Sequence, residues 1–319
     1  MRNKMKWLPV LLCLVLFAGM AIGSGSSSSS SDGDKQISSV TTSSDSSDKG
    51  SDVAATEEKS AEQAQEEQKE EASAVTIEEQ VLYDENDIKI TATGIEDSWA
   101  GTKLTLLIEN NSAKGVTVQA RNANVNGYMV ETMMSADVAA GKKSNDGLTF
   151  QTSGLKECGI EQIATMEFSF HIFDSESWDA IVDTDVIKID TSVAEGYVQN
   201  YDDSGEVLVD TNGVKIVGKG LSDKNSFFGP GVILYIENNS DQDITVQVRD
   251  VSVNGFMVDT SMSEDVVAGK KAISAVTFFS SSLEENGITD ITDVELFFHI
   301  FDLKTWDGIF DSDVITIKF

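Results

Sequence analysis

Four aspartates recur at the same spacing in two distant parts of the chain and could ligate a cation. They are Asp174, Asp179, Asp183 and Asp185, and then Asp302, Asp307, Asp311 and Asp313. Because Ca²⁺ is bound mainly by carboxylate and carbonyl oxygens, the spacing raises calcium as a candidate cofactor. The sequence around these aspartates lacks the glycine and the terminal glutamate of an EF-hand loop. A simpler interpretation is that Asp174 and Asp302 cap short turns that pack Trp178 and Trp306 onto the core, while Asp183 and Asp185 shape the next turn.

The two histidines of the chain, His171 and His299, also occupy equivalent positions. A histidine titrates near neutral pH, so a ligand or a pH switch is one interpretation. A zinc site needs three or four ligands, often histidine or cysteine, and no cysteine recurs with these histidines. We interpret them as packed or rim residues. Cys158 has Asn286 as its counterpart, so we expect no disulfide within a domain and treat Cys158 as an incidental loop residue.

The chain has no recognisable catalytic motif. It contains no G-x-S-x-G, H-E-x-x-H or glycine-rich phosphate loop. A glycosidase needs only a pair of carboxylates, but such pairs carry little information in a chain with 54 acidic residues. We therefore predict that the protein is not an enzyme and keep an unrecognised hydrolase as a less favoured alternative.

Three aromatic residues lie where the two related parts of the chain differ in length. Trp99 stands in the first part, and Phe227 and Phe228 stand at the corresponding place in the second. Aromatic side chains of this kind could line a groove for a peptide or a sugar, or they could pack in a core. We list Trp99, Phe227 and Phe228 as candidate binding residues.

The segments that position these residues form an internal sequence repeat with two copies. Ile108–Ser112 (IENNS) returns as Ile236–Ser240, and Phe170–Asp174 (FHIFD) returns as Phe298–Asp302. A repeat of this length indicates two whole domains in tandem. Each copy is long enough to bury its own core without disulfides or metals.

Each copy has the two-residue periodicity of β-strands. Met166, Phe168, Phe170 and Ile172, for example, alternate with residues that face the other way. Short strands separated by turn residues, with no long helical pattern between them, predict an antiparallel β-sandwich rather than an α/β fold. Asn-Gly pairs at 126–127 and 254–255 predict hairpin turns. We interpret the Asn-Asn-Ser triplets at 110–112 and 238–240 as turns rather than glycosylation sites.

These features resemble a known group of domains. A strand that ends in E-N-N-S, a later V-x-A-G-K segment at 138–142 and 266–270, and a closing pair of apolar strands are similar to uncharacterised immunoglobulin-like domains. Such domains occur in exported proteins and lipoproteins of Gram-positive bacteria. The resemblance covers roughly 81–191 and 207–319. It implies tandem immunoglobulin-like sandwiches and an exported location, and it supplies no catalytic residues.

The N-terminal region carries an export signal followed by a polar spacer. Arg2, Lys4 and Lys6 precede an apolar run to Ile22, which is short for a membrane span of about 20 residues. The run therefore predicts a signal peptide, or an N-terminal anchor if it stays uncleaved. Serine-rich and then glutamate-rich sequence follows and predicts a disordered tether. The predicted boundaries are 1–23 signal or anchor, 24–80 tether, 81–191 first repeat, 192–206 linker and 207–319 second repeat.

The net charge of −31 restricts the partners. Such a surface repels phosphate backbones and anionic lipid headgroups, so we expect no nucleic-acid partner and membrane contact only through the N-terminal segment. The sequence predicts a non-catalytic, exported cell-envelope protein, extracellular or anchored at the cell surface, whose repeats act as a binding or stalk module for an extracellular protein or glycan. The alternative is a calcium-dependent adhesion protein that uses the aspartate clusters.

Overall fold

A computed structural model describes residues 75–222 and 228–319, which all belong to one compact unit. The predicted signal segment and nearly all of the predicted tether lie outside these residues. Strands make up 58% of the described residues and helices 5%, and the sheets are antiparallel, so the all-β prediction is confirmed. Within the described part of the chain, no helix is both long and apolar enough to cross a membrane.

The first repeat contains eleven strands and one short helix. In chain order they are β1 (Gln80–Glu85), β2 (Ile88–Ser98), β3 (Gly101–Asn110), β4 (Val116–Val125), β5 (Tyr128–Met129), β6 (Thr132–Met133), β7 (Ser135–Val138), β8 (Lys142–Gln151), α1 (Thr152–Glu157), β9 (Thr165–Asp174), β10 (Ala180–Asp183) and β11 (Ile187–Asp190).

The second repeat has the same series of elements. They are β12 (Glu206–Thr211), β13 (Val214–Leu221), β14 (Gly231–Asn238), β15 (Ile244–Val253), β16 (Phe256–Met257), β17 (Thr260–Ser261), β18 (Ser263–Val266), β19 (Lys271–Phe278), α2 (Ser280–Glu285), β20 (Asp293–Asp302), β21 (Gly308–Asp311) and β22 (Ile315–Lys318).

Each repeat forms two groups of antiparallel strands. In the first repeat, one group runs β1-β2-β3-β8-β6, and the other is built on the β9–β4 pair, with β10 and β11 on β9 and β5 and β7 on β4. The second repeat reproduces this with β12-β13-β14-β19-β17 and with the β20–β15 pair and its neighbours. The inward residues of both groups build the core, which is why buried and less buried residues alternate along strands such as β3 and β9.

The core consists of two hydrophobic clusters that largely follow the two repeats. Phe150, Phe168 and Phe170 are fully buried in the first cluster, and Phe278 and Phe298 are fully buried in the second. Burying one such side chain contributes about 1.5–3 kcal/mol, so each cluster holds its own pair of strand groups together.

Asparagines shape the turns as their sequence context predicts. Asn126-Gly127 and Asn254-Gly255 have positive φ at both residues, which is the geometry of the tight hairpin turns between β4 and β5 and between β15 and β16. Asn110 is fully buried, and its Nδ2 donates to the carbonyls of Lys114 at 2.8 Å and Val138 at 2.9 Å. Asn238 does the same in the second repeat. Both asparagine amides are therefore turn elements with their hydrogens already donated.

The two repeats are in contact through backbone and side-chain groups of β5, β9 and β19. The Lys271 backbone N–H of β19 donates to the Gly127 carbonyl at 2.9 Å, and Lys271 pairs with Tyr128 of β5 in the one parallel bridge among the described strands. Lys270 Nζ lies 2.5 Å from Glu167 Oε2 of β9. Tyr128 is buried, with its ring 6.5 Å from the ring of Tyr235. This contact joins one strand group of each repeat into a single eleven-stranded sheet.

Candidate binding surface

The outer face of β9 carries a histidine and a phenylalanine next to each other. Because side chains alternate along a strand, Phe168, Phe170 and Ile172 point into the core, while His171 lies on the opposite face. The ring of Phe173 lies 5.2 Å from the ring of His171. Two aromatic rings are thus set side by side at the end of the strand that leads into the Asp174 turn.

Asp174 shapes this turn, as the capping interpretation predicts. Its Oδ1 accepts the backbone N–H groups of Glu176 at 2.9 Å and Ser177 at 3.1 Å. The turn is closed by hydrogen bonds from the Trp178 N–H to the Asp174 carbonyl and from the Asp174 N–H to the Asp179 carbonyl. The turn therefore holds the backbone of Trp178 in a defined conformation.

The expectation that this turn packs Trp178 onto the core is wrong. The Trp178 side chain is 74% exposed, and its ring stacks on Phe173 with centroids 5.5 Å apart and an angle of 19° between the planes. The physical reason is the position of Phe173 on the outer side of β9. The tryptophan therefore covers an outward ring and leaves its own other face to solvent.

His171 is held in place by an acidic residue of the neighbouring strand. Its Nδ1 lies 2.6 Å from Asp183 Oδ1 on β10, and Arg121 lies 3.8 Å from the same oxygen. The packed-histidine interpretation therefore describes its surroundings correctly. We call the three residues His171, Phe173 and Trp178, with their counterparts His299, Phe301 and Trp306, the aromatic stripes.

The second repeat carries the same stripe in the same geometry. Trp306 is 66% exposed and stacks on Phe301 with centroids 5.7 Å apart and an interplanar angle of 20°. His299 Nδ1 lies 2.5 Å from Asp311 Oδ1. Asp302 Oδ1 accepts two backbone N–H groups of the turn, at 2.9 Å and 2.7 Å. The chain thus presents two matching stripes.

Both tryptophans of the aromatic stripes have a strained backbone. Trp178 has φ of 65° and Trp306 has φ of 64°. Every other described residue with positive φ is glycine, asparagine or aspartate, which tolerate this region far better than a bulky side chain. An exposed aromatic ring in an unfavourable backbone conformation does little for stability. Strain of this kind concentrates at functional sites, and its recurrence in both repeats makes the stripes the best candidate surface of the molecule.

The eight aspartates proposed for calcium serve separate structural roles. Asp174 is buried beside Lys114 Nζ at 2.7 Å, and Lys114 together with the turn N–H groups lowers the pKa of Asp174 to about 2. Asp302 is held by N–H groups of its turn, which lower its pKa as well.

The remaining six are spread along the two loops. Asp179 accepts from the Ser177 hydroxyl, and Asp183 and Asp311 hold the histidines. Asp307 closes its turn through its backbone carbonyl, and the carbonyls of Asp185 and Asp313 accept from neighbouring hydroxyls. Across 75–222 and 228–319, no three His, Cys, Asp or Glu residues come together as a metal-binding group. The described geometry therefore offers calcium no assembled ligand set.

The loop aromatics predicted as binding residues are only partly visible. Trp99 lies at the turn between β2 and β3 and is 95% exposed, and Phe228 is 64% exposed. Phe227 lies outside the described residues. Trp99 stacks on no described ring, in contrast to Trp178 and Trp306. The binding role of Trp99, Phe227 and Phe228 stays a prediction.

A cleft between the repeats contains Cys158 and also Glu264, a titratable group that the sequence analysis did not single out. It has a volume of about 670 Å³ and is lined by Met129, Cys158, Glu264 and Ile273 among others. Burial raises the pKa of the Cys158 thiol to about 12. Cys158 lies in the turn that follows α1, in agreement with the loop expectation, but it is buried, and the raised pKa disfavours the reactive thiolate. Burial likewise raises the pKa of Glu264 to about 7.

Comparisons with known proteins leave the family open. No protein-family model matches the chain, and no curated protein matches it. Among solved structures, the crystal structure of the YadV chaperone aligns with 73% of this chain and 100% of that chain, with 11% sequence identity and a TM-score of 0.23. A similarity at this TM-score carries no argument about fold or function.

Proposed function

We propose that this chain is a non-catalytic, exported cell-envelope protein whose tandem immunoglobulin-like repeats bind an extracellular protein or glycan through the aromatic stripes. The observation that carries the proposal is the pair of exposed, stacked tryptophans, Trp178 and Trp306, each at positive φ and in the same place on its repeat. The export and envelope location follow from the N-terminal signal pattern and the sequence resemblance.

The strand order supports the immunoglobulin-like part of the proposal. In an immunoglobulin sandwich, strands A, B and E share one sheet, and strands C, F and G share the other. In the first repeat, β2, β3 and β8 are hydrogen-bonded neighbours in the A-B-E order, and β4 and β9 stand as C and F, with β10 and β11 in the place of G. The second repeat has the same order.

The chemistry of the stripes supports a ligand with flat, apolar faces. Each tryptophan presents one ring face to solvent, while its other face is already supported by a phenylalanine. Pre-ordered aromatic rings lose little entropy on binding and are common anchors in recognition surfaces. The acidic surroundings disfavour phosphate-rich ligands. Sugar rings and the proline or aromatic side chains of a protein meet these conditions.

The test is a binding assay of the purified full chain with isolated cell-envelope material, measured by co-sedimentation. We expect the Trp178→Ala/Trp306→Ala double variant to lose binding and each single variant to retain part of it. Trp99→Ala is the matched control, because Trp99 is an exposed tryptophan outside the stripes, and it should bind like the wild type. Unchanged binding of the double variant would refute the stripes as the site, and loss of binding in Trp99→Ala would favour the loop instead.

The proposed location has its own test. Mass spectrometry of the N-terminus in membrane and culture fractions reports whether the protein is exported and where the leader is cleaved. Recovery of the uncleaved chain only from the cytosolic fraction would contradict export.

A further inference from the structure

The contact between the two repeats has a hairpin side and a lysine side. The first repeat contributes the hairpin side, which consists of the Gly127 carbonyl, the buried Tyr128 and the Glu167 carboxylate. The second repeat contributes the lysine side, which consists of Lys270 and the backbone N–H of Lys271 at the start of β19. Because each repeat has the same elements, each has a counterpart of both sides.

The counterpart of the hairpin side lies exposed on the second repeat. Gly255 and Phe256 correspond to Gly127 and Tyr128, and Glu295 corresponds to Glu167. Phe256 is 50% exposed and Met257 is 62% exposed, whereas Tyr128 is only 2% exposed. Glu295 is also exposed and has no ion-pair partner among the described residues. An aromatic hairpin beside a carboxylate that lacks a described cation is thus left uncovered in a single chain.

The counterpart of the lysine side lies exposed on the first repeat. Lys142 and Lys143 correspond to Lys270 and Lys271, and both are exposed. Lys143 lies opposite Glu109 of β3, just as Lys271 lies opposite Glu237 of β14. Because the register is the same, the Lys143 backbone N–H points away from β3, as the Lys271 N–H points away from β14. The short strand β6 pairs with β8 only at Thr149 and Phe150, so β6 does not cover the edge of β8 at Lys143.

We propose that a second copy of this chain binds head to tail at these two surfaces. The β15–β16 hairpin of one copy lies on the β8 edge of the next copy, with the Gly255 carbonyl accepting from the Lys143 N–H and Glu295 paired with Lys142. Opposite charges meet at the same relative positions as in the contact between Glu167 and Lys270. The interface is heterologous, so repetition builds a ring or an open helical chain rather than a two-fold dimer.

The intermolecular contact is weaker than the contact within the chain. Three apolar residues on the lysine side of the second repeat, Val217, Tyr235 and Ile273, have Thr91, Leu107 and Asn145 as their counterparts in the first. Less apolar area is therefore buried between copies. Tyr201 of the linker donates its hydroxyl to the Asn126 carbonyl at 2.7 Å, and its counterpart Val75 has no hydroxyl to donate. Association should accordingly depend on concentration and reverse on dilution. The inference is independent of the proposed ligand-binding function.

Carbodiimide cross-linking tests the contact directly, because this reagent forms an amide between an amine and a carboxylate without a spacer and therefore favours groups that are in contact. The full chain is cross-linked in mild detergent as a mixture of unlabelled and nitrogen-15-labelled protein, and the linked peptides are identified by mass spectrometry. We expect a Lys142–Glu295 peptide that mixes the two labels and increases with protein concentration. The Lys270–Glu167 peptide is the internal control and should form within single chains at every concentration. Formation of the control peptide without the Lys142–Glu295 peptide at millimolar protein would overturn the proposal.

Charge reversal supplies the second test. Lys142→Glu and Glu295→Lys should each reduce the weight-average mass measured by sedimentation at high concentration. An equimolar mixture of the two single variants should regain association, because both surfaces of each variant then meet an opposite charge on the other variant. The double variant Lys142→Glu/Glu295→Lys should regain the association of the wild type. Lys156→Glu, a change at another exposed lysine, is the control. Association that persists in both single variants, or that the double variant fails to restore, would show that another surface or the N-terminal segment holds the copies together.

Discussion

Substitution of Trp178 by glycine and by alanine should reverse the usual order of stability of these two residues. At an ordinary exposed position of a strand, glycine is less stable than alanine by about 0.5–1 kcal/mol, because glycine loses more backbone entropy on folding. At Trp178 the backbone has φ of 65°, where any residue with a Cβ atom is disfavoured. Glycine removes that penalty, and alanine retains it.

The expected magnitudes follow from three terms. Both variants lose the stacking of Trp178 on Phe173, which is worth about 0.5–1.5 kcal/mol. Only glycine relieves the left-handed backbone, a gain of about 1–2 kcal/mol. Subtracting the entropy cost of glycine, about 0.5–1 kcal/mol, leaves Trp178→Gly more stable than Trp178→Ala by about 0.75 kcal/mol at the mid-points of the two ranges. Trp178→Gly itself should lie close to the wild type.

Urea denaturation followed by far-ultraviolet circular dichroism measures these differences without relying on tryptophan fluorescence. Trp306, with φ of 64°, provides an independent repetition in the second repeat. Val186 is the matched control, since it is 68% exposed and has no positive φ, so alanine should be the more stable replacement there. An alanine variant at Trp178 and Trp306 as stable as the glycine variant would refute the argument that these tryptophans are held under backbone strain.

Three further outcomes are expected. The pKa of Asp174 is lowered from 3.8 to about 2, so its charge stabilises the fold above about pH 4, and that stabilisation is lost as the pH falls through about 2. The difference in unfolding free energy between the wild type and Asp174→Asn, measured by urea titration, should therefore shrink over this window. A constant difference would contradict the role of Lys114. The pKa of Glu264 is raised from 4.5 to about 7 by burial, with Asp265, Glu131 and Glu157 adding to the rise and Ser274 opposing it. The stability of the fold should therefore fall as the pH rises from about 4.5 through 7. Glu264→Gln should flatten this decline in melting temperature, and an unchanged profile would show that Glu264 is hydrated. Millimolar calcium should leave the melting temperature unchanged, because the described aspartates form no ligand set, and a clear rise would support the calcium-dependent alternative.

Local signals in the sequence predicted local structure well. The Asn126-Gly127 and Asn254-Gly255 turns, the turn at Asn110 and the cap at Asp174 all depend on neighbours within a few residues, and each is found where the pattern placed it. Strand alternation separated the inward from the outward residues of β9 for the same reason. The all-β class followed from the sum of these short-range preferences.

Features that depend on contacts between residues far apart in the chain could not be predicted from the sequence. Trp178 was expected to pack onto the core from the Asp174 turn. Alternation along β9 places Phe173 on the outer face, but it does not show that Trp178 stacks on Phe173. The shifted pKa of Glu264 arises from packing between the repeats, far away in the chain. The tryptophans recur at identical distances after each F-H-I-F-D segment, as the aspartates do, and this recurrence is the sequence signal for the aromatic stripes.

The close contact between the repeats has a consequence for how the two aromatic stripes would act together if each binds the proposed ligand weakly. Tyr128 is buried where β5 meets β19, and a backbone hydrogen bond and the ion pair between Lys270 and Glu167 support the same joint. If the aromatic stripes bind a ligand as proposed, this joint would limit the range of distances between Trp178 and Trp306, and a ligand captured by one surface would meet the other at a high effective concentration. That enhancement is available only to ligands whose own repeat matches the distance. Selectivity would then reside in the spacing of the two surfaces as much as in the chemistry of either one.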